Sequence, residues 1–162
     1  MRLGAVLAIV GALGATAAEA MPEGRFATAD GGARVLLQRV ADGALRVEID
    51  VPAFGPLLQV SLVPRPDGRV FEEPAAPAGW MDRLMSRQPE RLPFDGRRLA
   101  WATQMEDALV VTTLQVDASG RPDLRRAALS LTDDTTLRLD LRRYADMEVV
   151  PGPHLQLERA AP

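Results

Sequence analysis

His154 is the one histidine in the chain, and it stands in the run Pro151-Gly152-Pro153-His154. An imidazole can act as a general base or as a metal ligand near neutral pH. Alone it does not make a catalytic zinc site, which takes three protein ligands, and the chain has no cysteine to supply a thiolate. A histidine-dependent nucleophile would also need a serine. Ser61, Ser86, Ser119 and Ser130 are present, and none sits in a Gly-x-Ser-x-Gly elbow. The plain alternative for His154 is a surface imidazole in a proline-bounded loop.

Carboxylates are the next candidates. Glu72-Glu73, Glu106-Asp107 and Asp133-Asp134 are adjacent pairs. Paired acids can share a proton or flank a glycosidic bond. Neighbours in a strand point to opposite faces, so adjacency in sequence makes poor pairs in space. Two of the pairs also fall at expected turns. Glu72, at the entrance to a long proline-rich stretch, is the acid singled out. No calcium-loop spacing occurs. Among the few aromatics, Trp80 and Trp101 could line or cover an apolar ligand, with Leu84 and Met85 beside Trp80. The plainer reading is packing, Trp101 in the core and Trp80 with Leu84 in a plug that closes an open end of the sheet. Tyr144 follows Arg142-Arg143 and is a further polar candidate. Arg97-Arg98, Arg125-Arg126 and Arg142-Arg143 form an anion site only if neighbouring strands bring them together, since a guanidinium holds carboxylates bidentately. Otherwise they belong to a solvated mixed-charge surface. No residue is assigned as catalytic, no metal site is assigned, and no cofactor is expected.

Composition excludes much else. All 19 basic residues are arginine, against 22 acids, giving a net charge of −3. Without lysine there is no Schiff base and no P-loop. The acidic balance argues against a nucleic-acid partner, which asks for a basic face. The absence of cysteine rules out disulfides. Arginine in place of lysine, no asparagine, and only Ile9 and Ile49 as isoleucines read as the codon bias of a GC-rich, bacterial genome.

Residues 1–20 have the grammar of a secretory signal peptide. Arg2 supplies the positive start, Leu3–Ala17 the apolar run, and Ala18-Glu19-Ala20 an A-x-A cleavage site, with cleavage expected before Met21. The run is short for a bilayer span of ~20 residues. The expected product is periplasmic or secreted, residues 21–162, one domain with no membrane span after cleavage.

The elements that must position these residues read as strands. Asp30-Gly31, Asp42-Gly43, Asp67-Gly68, Asp95-Gly96 and Ser119-Gly120 punctuate the chain between apolar runs. Such dipeptides accept the positive φ of tight hairpin turns. Between them, side chains alternate at period two. Leu45, Val47, Ile49 and Val51 oppose Arg46, Glu48 and Asp50; Leu137, Leu139 and Leu141 oppose Arg138, Asp140 and Arg142. Leu58–Leu62 and Leu155–Glu158 alternate likewise, and 25–29, 33–40, 69–72, 99–105, 109–117 and 127–132 complete eight to ten short strands. Residues 122–132 fit a helix as well, through Leu124, Ala127, Ala128 and Leu131, but the strand leads directly into the turn at Asp133-Asp134. Residues 73–98 interrupt the meander. Pro74, Pro77, Pro89 and Pro93 disfavour strands there, and the i, i+4 pairs Trp80/Leu84 and Met81/Met85 suit a short helix.

An antiparallel meander protects its edges by closing into a barrel. The expected fold is therefore all-β, a soluble barrel of lipocalin-like (calycin-like) architecture, with a β-sandwich or open curved sheet as the alternative. Gly24-Arg25-Phe26 is similar to the Gly-x-Trp first-strand signature of lipocalins, a likeness of architecture and not of membership. An outer-membrane barrel would need an apolar belt and aromatic girdles, which 4% aromatic content and charged outer faces do not supply. The leading expectation is a non-catalytic barrel binding a small apolar ligand or an envelope protein, its site near residues 73–98. The alternatives are a hydrolase or isomerase using a carboxylate or His154 in a cleft, and an accessory envelope protein without a pocket.

Overall fold

The alternation seen in the sequence is realised as ten antiparallel strands. They are β1 Gly24–Ala27, β2 Arg34–Arg39, β3 Leu45–Asp50, β4 Leu58–Pro64, β5 Val70–Glu72, β6 Arg98–Gln104, β7 Leu109–Val116, β8 Pro122–Leu131, β9 Thr136–Ala145 and β10 Glu148–Arg159. The computed structural model describes residues 21–40, 43–55, 58–74, 98–145 and 148–160. Each strand pairs with its sequence neighbours, and β1 pairs with β10, so the meander closes into a barrel. Neither the sandwich nor the open sheet occurs. The stretch 122–131 is strand along its whole length. The expected signal peptide, and the short helix with Trp80, Leu84 and Met85, lie outside the described residues.

Local chemistry makes the turns. Gly31, Gly68 and Gly120 have φ of 69°, 67° and 83°, the left-handed region that a side chain disfavours. An acid folds back at each: Asp30 accepts from Gly32 N, Asp67 from Arg69 N and Val70 N, and Asp117 from Ser119 N and Arg121 N. Asp133 does the same for Thr135 and Thr136. The acid pair Asp133-Asp134 is thus turn chemistry, as is Glu106-Asp107, which sits where Met105 N donates to Ala108 O.

Asp117 joins the β7–β8 hairpin to pH. Bonds from the Ser119 hydroxyl and the Arg121 amide hold its carboxyl down at about 2. A depressed carboxyl stabilises the fold above its unfolded value and loses that contribution as pH falls through the folded one. The melting temperature of Asp117→Asn should therefore lie below that of the parent protein at neutral pH. The two should converge as pH drops from the ordinary carboxylate range toward about 2. A pH-independent gap in thermal melts would refute the assignment.

Inside the barrel the core is aliphatic. Leu37, Leu45, Leu62, Leu109, Leu129, Leu139 and Leu157 are essentially inaccessible, with Phe26 and Phe71 as the large fillers. One end is occupied by Met21, 7% exposed. At the other end β10 departs from expectation. Pro151-Gly152-Pro153, expected as a loop, lies inside the strand at a shift of register between Pro151 and His154, the bulge by which a strand tolerates proline. Gly152 is required there. A Cβ on it would stand 2.6 Å from the Phe54 ring and 2.8 Å from the Leu141 carbonyl oxygen. Gly152→Ala should lose at least about 1 kcal/mol in urea unfolding, since a backbone neighbour cannot step aside; an unchanged midpoint would contradict this.

Candidate binding site

Three concave regions involve residues from the sequence-level candidates: a cavity of about 180 Å³ at the Met21 end, bordered by the turn residues Glu106 and Asp107, and two others that lie on opposite sides of the same wall. The outer one forms because β6, β7, β8 and β9 carry apolar side chains on their outward faces as well as their inward ones. Directly registered across the strands is the row Leu99, Leu114, Leu124, Tyr144 and Val149. The next row runs Glu72, Trp101, Thr112, Arg126, Arg142 and Pro151. Of these, Trp101, Thr112, Leu124, Arg126 and Tyr144, together with Thr103, Met105 and Val110, line a shallow groove of about 480 Å³. Val110 and Thr112 are only 6% and 8% exposed although alternation turns them outward, whereas Met105 is 50% and Val149 57% exposed. Across the barrel the outer wall is different. Arg25, Leu36, Glu48 and Gln59 form one row and Gln38, Arg46 and Ser61 the next, a mostly polar surface. The apolar face is thus one-sided and not a belt.

Charge enters the groove through Arg126, which stands directly opposite Arg142 on the neighbouring strand. Like charges in that position repel, and neither has a hydrogen bond or ion pair among the described residues. One residue earlier in β8 and one later in β9, Arg125 and Arg143 are also in register, but on the inward face. There Asp123 bridges them. It accepts from Arg125 Nη2 at 3.1 Å and from Arg143 Nε at 2.9 Å. Burial raises the Asp123 carboxyl, and the bonds from Arg143 and Arg125 outweigh that, leaving it below the usual carboxylate range. Two of the arginine pairs noticed in the sequence are therefore brought together twice over, inside and outside. Asp123 and Arg125 of the inner set border a cavity of about 100 Å³ at the barrel mouth, floored by Ile49, Val111, Ala127 and Leu141.

Comparison with protein families, curated proteins and solved structures finds no match.

The remaining sequence-level candidates fall as follows. Trp101 and Tyr144 meet at the outer groove. The face shared by Leu99, Trp101, Thr103 and Met105 is outside, because Ala100 and Ala102 are the residues turned into the core. Trp101 is therefore neither a core residue nor the lining of an interior cavity. Glu72 is adjacent to Trp101 on the outer face and pairs with Arg65 at 2.8 Å. Its neighbour Glu73 accepts from Ala100 N at 3.1 Å, extending the strand pairing. His154 pairs with Asp140 on the outer surface, its side chain 64% exposed, and Asp140 also holds Arg138. Burial raises the Asp140 carboxyl; the His154 bond and the Arg138 charge bring it net below the usual range. His154 lines none of these three cavities. Among the described residues no group of three or more acids or histidines could hold a metal ion. The sequence reading missed Leu99, Leu114, Leu124, Val149 and the outward role of Arg126 and Arg142. One signal was available: Leu109–Val116 reads LVVTTLQV, with no polar alternation, the mark of a strand apolar on both faces.

Proposed function

We propose that this protein is a non-catalytic β-barrel of the bacterial cell envelope, exported to the periplasm or secreted, that docks a protein partner on the outer wall of β6–β9. The carrying observation is the registered apolar face with Arg126 and Arg142 set side by side in it. Apolar surface of this kind marks interaction sites, and here it is half-buried along Leu99, Trp101, Leu124 and Tyr144 and reaches solvent at Met105 and Val149. Two adjacent guanidinium groups ask for an acid. The partner surface that fits is aliphatic or aromatic with a carboxylate at its centre, a combination that gives both burial and direction. The cavities of about 100 Å³ at the barrel mouth and about 180 Å³ at the Met21 end are under the ~300 Å³ of ordinary small-molecule pockets, room for a fragment of a few carbons at most, which favours a protein partner outside as the main occupant.

A photo-crosslinking amino acid placed at Trp101 or Leu124, in cells expressing the full chain, tests this. A discrete adduct is expected from the apolar wall and none from Arg46 or Gln59 on the polar wall. Arg126→Glu with Arg142→Glu should abolish it. Equal labelling from both walls, or an adduct indifferent to the charge reversal, would remove the reading. N-terminal sequencing of the exported protein should begin at Met21.

A further inference from the structure

The cavity at the barrel mouth combines an apolar floor with an arginine rim, and no residue of it takes part in the outer-wall reading except Arg126, whose side chain belongs to the opposite face. Arg125 reaches across the opening. Its Nε and Nη2 donate to Asp123 Oδ2 at 3.3 and 3.1 Å, while Nη1 lies over Gly55, where any Cβ would collide with it. Gly55 therefore leaves room for a guanidinium that spans from β8 to the β3–β4 connection. Its φ of 146° is itself one that glycine alone takes readily. From β6, Arg98 enters the same rim, held by one hydrogen bond from Nη2 to the Gln59 carbonyl at 3.0 Å. The acid on this rim, Asp123, is already shared between Arg125 and Arg143. The lining therefore has an excess of positive charge above a floor of Ile49, Val111, Ala127 and Leu141.

We infer that the mouth binds a carboxylate carrying a short aliphatic group. The aliphatic part fills the cavity, and the carboxylate accepts from Arg98 and Arg125. Guanidinium groups suit a planar carboxylate. The size follows from the volume: an apolar cavity of ~150 Å³ takes a benzene, so about 100 Å³ takes about four carbons, with the head of a slightly longer chain at the open rim. A bare phosphate or sulfate would leave the apolar floor empty, and an alcohol would leave the arginines without a counter-charge. The chemistry is shared by a free short-chain fatty acid and by the C-terminal residue of a peptide ending in valine or leucine.

The test is an amide-resolved NMR titration of the exported barrel with hexanoate, hexanol, and an acetylated tripeptide ending in leucine as free acid or as amide. Saturable shifts at Arg98, Thr113 and Ala127 are expected with hexanoate, with the free-acid peptide, or with both. Hexanoate alone would identify a free acid as the source; the peptide acid alone, a chain terminus. Hexanol and the peptide amide should bind at least tenfold more weakly. Arg98→Gln should weaken binding at least tenfold, and Ala127→Leu, which fills the floor without touching a charge, should abolish it; melting temperatures check that both variants are folded. The inference is overturned if no carboxylate gives saturable shifts at these amides, if acid and neutral probes bind alike, or if folded Ala127→Leu binds as the parent does. None of these outcomes bears on the outer-wall adduct, so the two readings fail separately.

Discussion

Phe26→Ala is expected to lower the unfolding free energy by about 3–5 kcal/mol, the cost of truncating a buried phenylalanine and leaving a cavity. The ring is 1% exposed, but its position matters as much as its burial. Phe26 sits where the barrel closes. The β1–β10 seam has only two registered pairs, Phe26 with Arg159 and Ala27 with Glu158, supported by Ala160 N donating to Arg25 O. Arg159 lies over the Phe26 ring at 4.9 Å. From there its Nη1 donates to Glu23 O at 2.8 Å and its Nε to Asp134 O at 3.1 Å. The ring is thus both core filler and the platform for the arginine that ties three segments at the seam. For a domain of this stability class, ~5–15 kcal/mol in all, the loss is a fifth or more. Phe26→Leu keeps most of the volume and should cost under ~1.5 kcal/mol. Urea unfolding followed by circular dichroism measures both. Hydrogen exchange should show β1 and β10 amides opening first in Phe26→Ala, because a meander that loses its seam has two edges again. An Ala variant as stable as the parent would mean that the seam is held by something other than this ring.

Asp123→Ala should cost about 1.5–3 kcal/mol, the range for hydrogen bonds to charged groups. Its carboxylate accepts from Arg125 and Arg143, and the side chains are about a quarter to two-fifths exposed, so solvent screening keeps the figure at or below the middle of that range. Removing the acid leaves two guanidinium groups facing each other across β8 and β9. Replacing Arg143 by glutamine as well should restore part of the loss, which a double-mutant cycle detects. The pH dependence has a definite sign. The Asp123 carboxyl is depressed in the fold, so its contribution is present above the unfolded carboxylate range and disappears as pH falls through the folded value. The stability gap between parent and Asp123→Ala should therefore be full at neutral pH and should close in acid. A gap that widens in acid would show that burial, and not the arginines, governs this group.

Different parts of the protein were legible to different degrees. Turn positions were the plainest, because an Asp-Gly pair acts within three residues: Asp30 and Asp67 each satisfy local amides, while at Ser119-Gly120 the acid that does so is Asp117, which the dipeptide did not mark. The alternation of Leu45–Val51 and Leu137–Leu141 located β3 and β9 for the same reason, one face wet and one dry. β10 was only half visible. Pro151 and Pro153 read as a loop, yet the strand continues through a bulge, since a partner strand can hold an extended segment that forms no ladder of its own.

Local composition by itself determined the all-β class, the strand count to within one or two, and the fact that Leu99, Trp101, Thr103 and Met105 share a face. Which face is inside was decided only by closure. Period two says that neighbours oppose each other, and it cannot say which set meets the core when both are apolar, as in β6 and β7. The small Ala100 and Ala102 point in and Trp101 points out. The arginine doublets show the same limit. Each places one guanidinium on either face, but only the register of β8 against β9 sets Arg125 beside Arg143 within the mouth and Arg126 beside Arg142 on the wall. Register is a property of strand pairs, so no single stretch of sequence carries it, and both candidate sites of this protein are made of it.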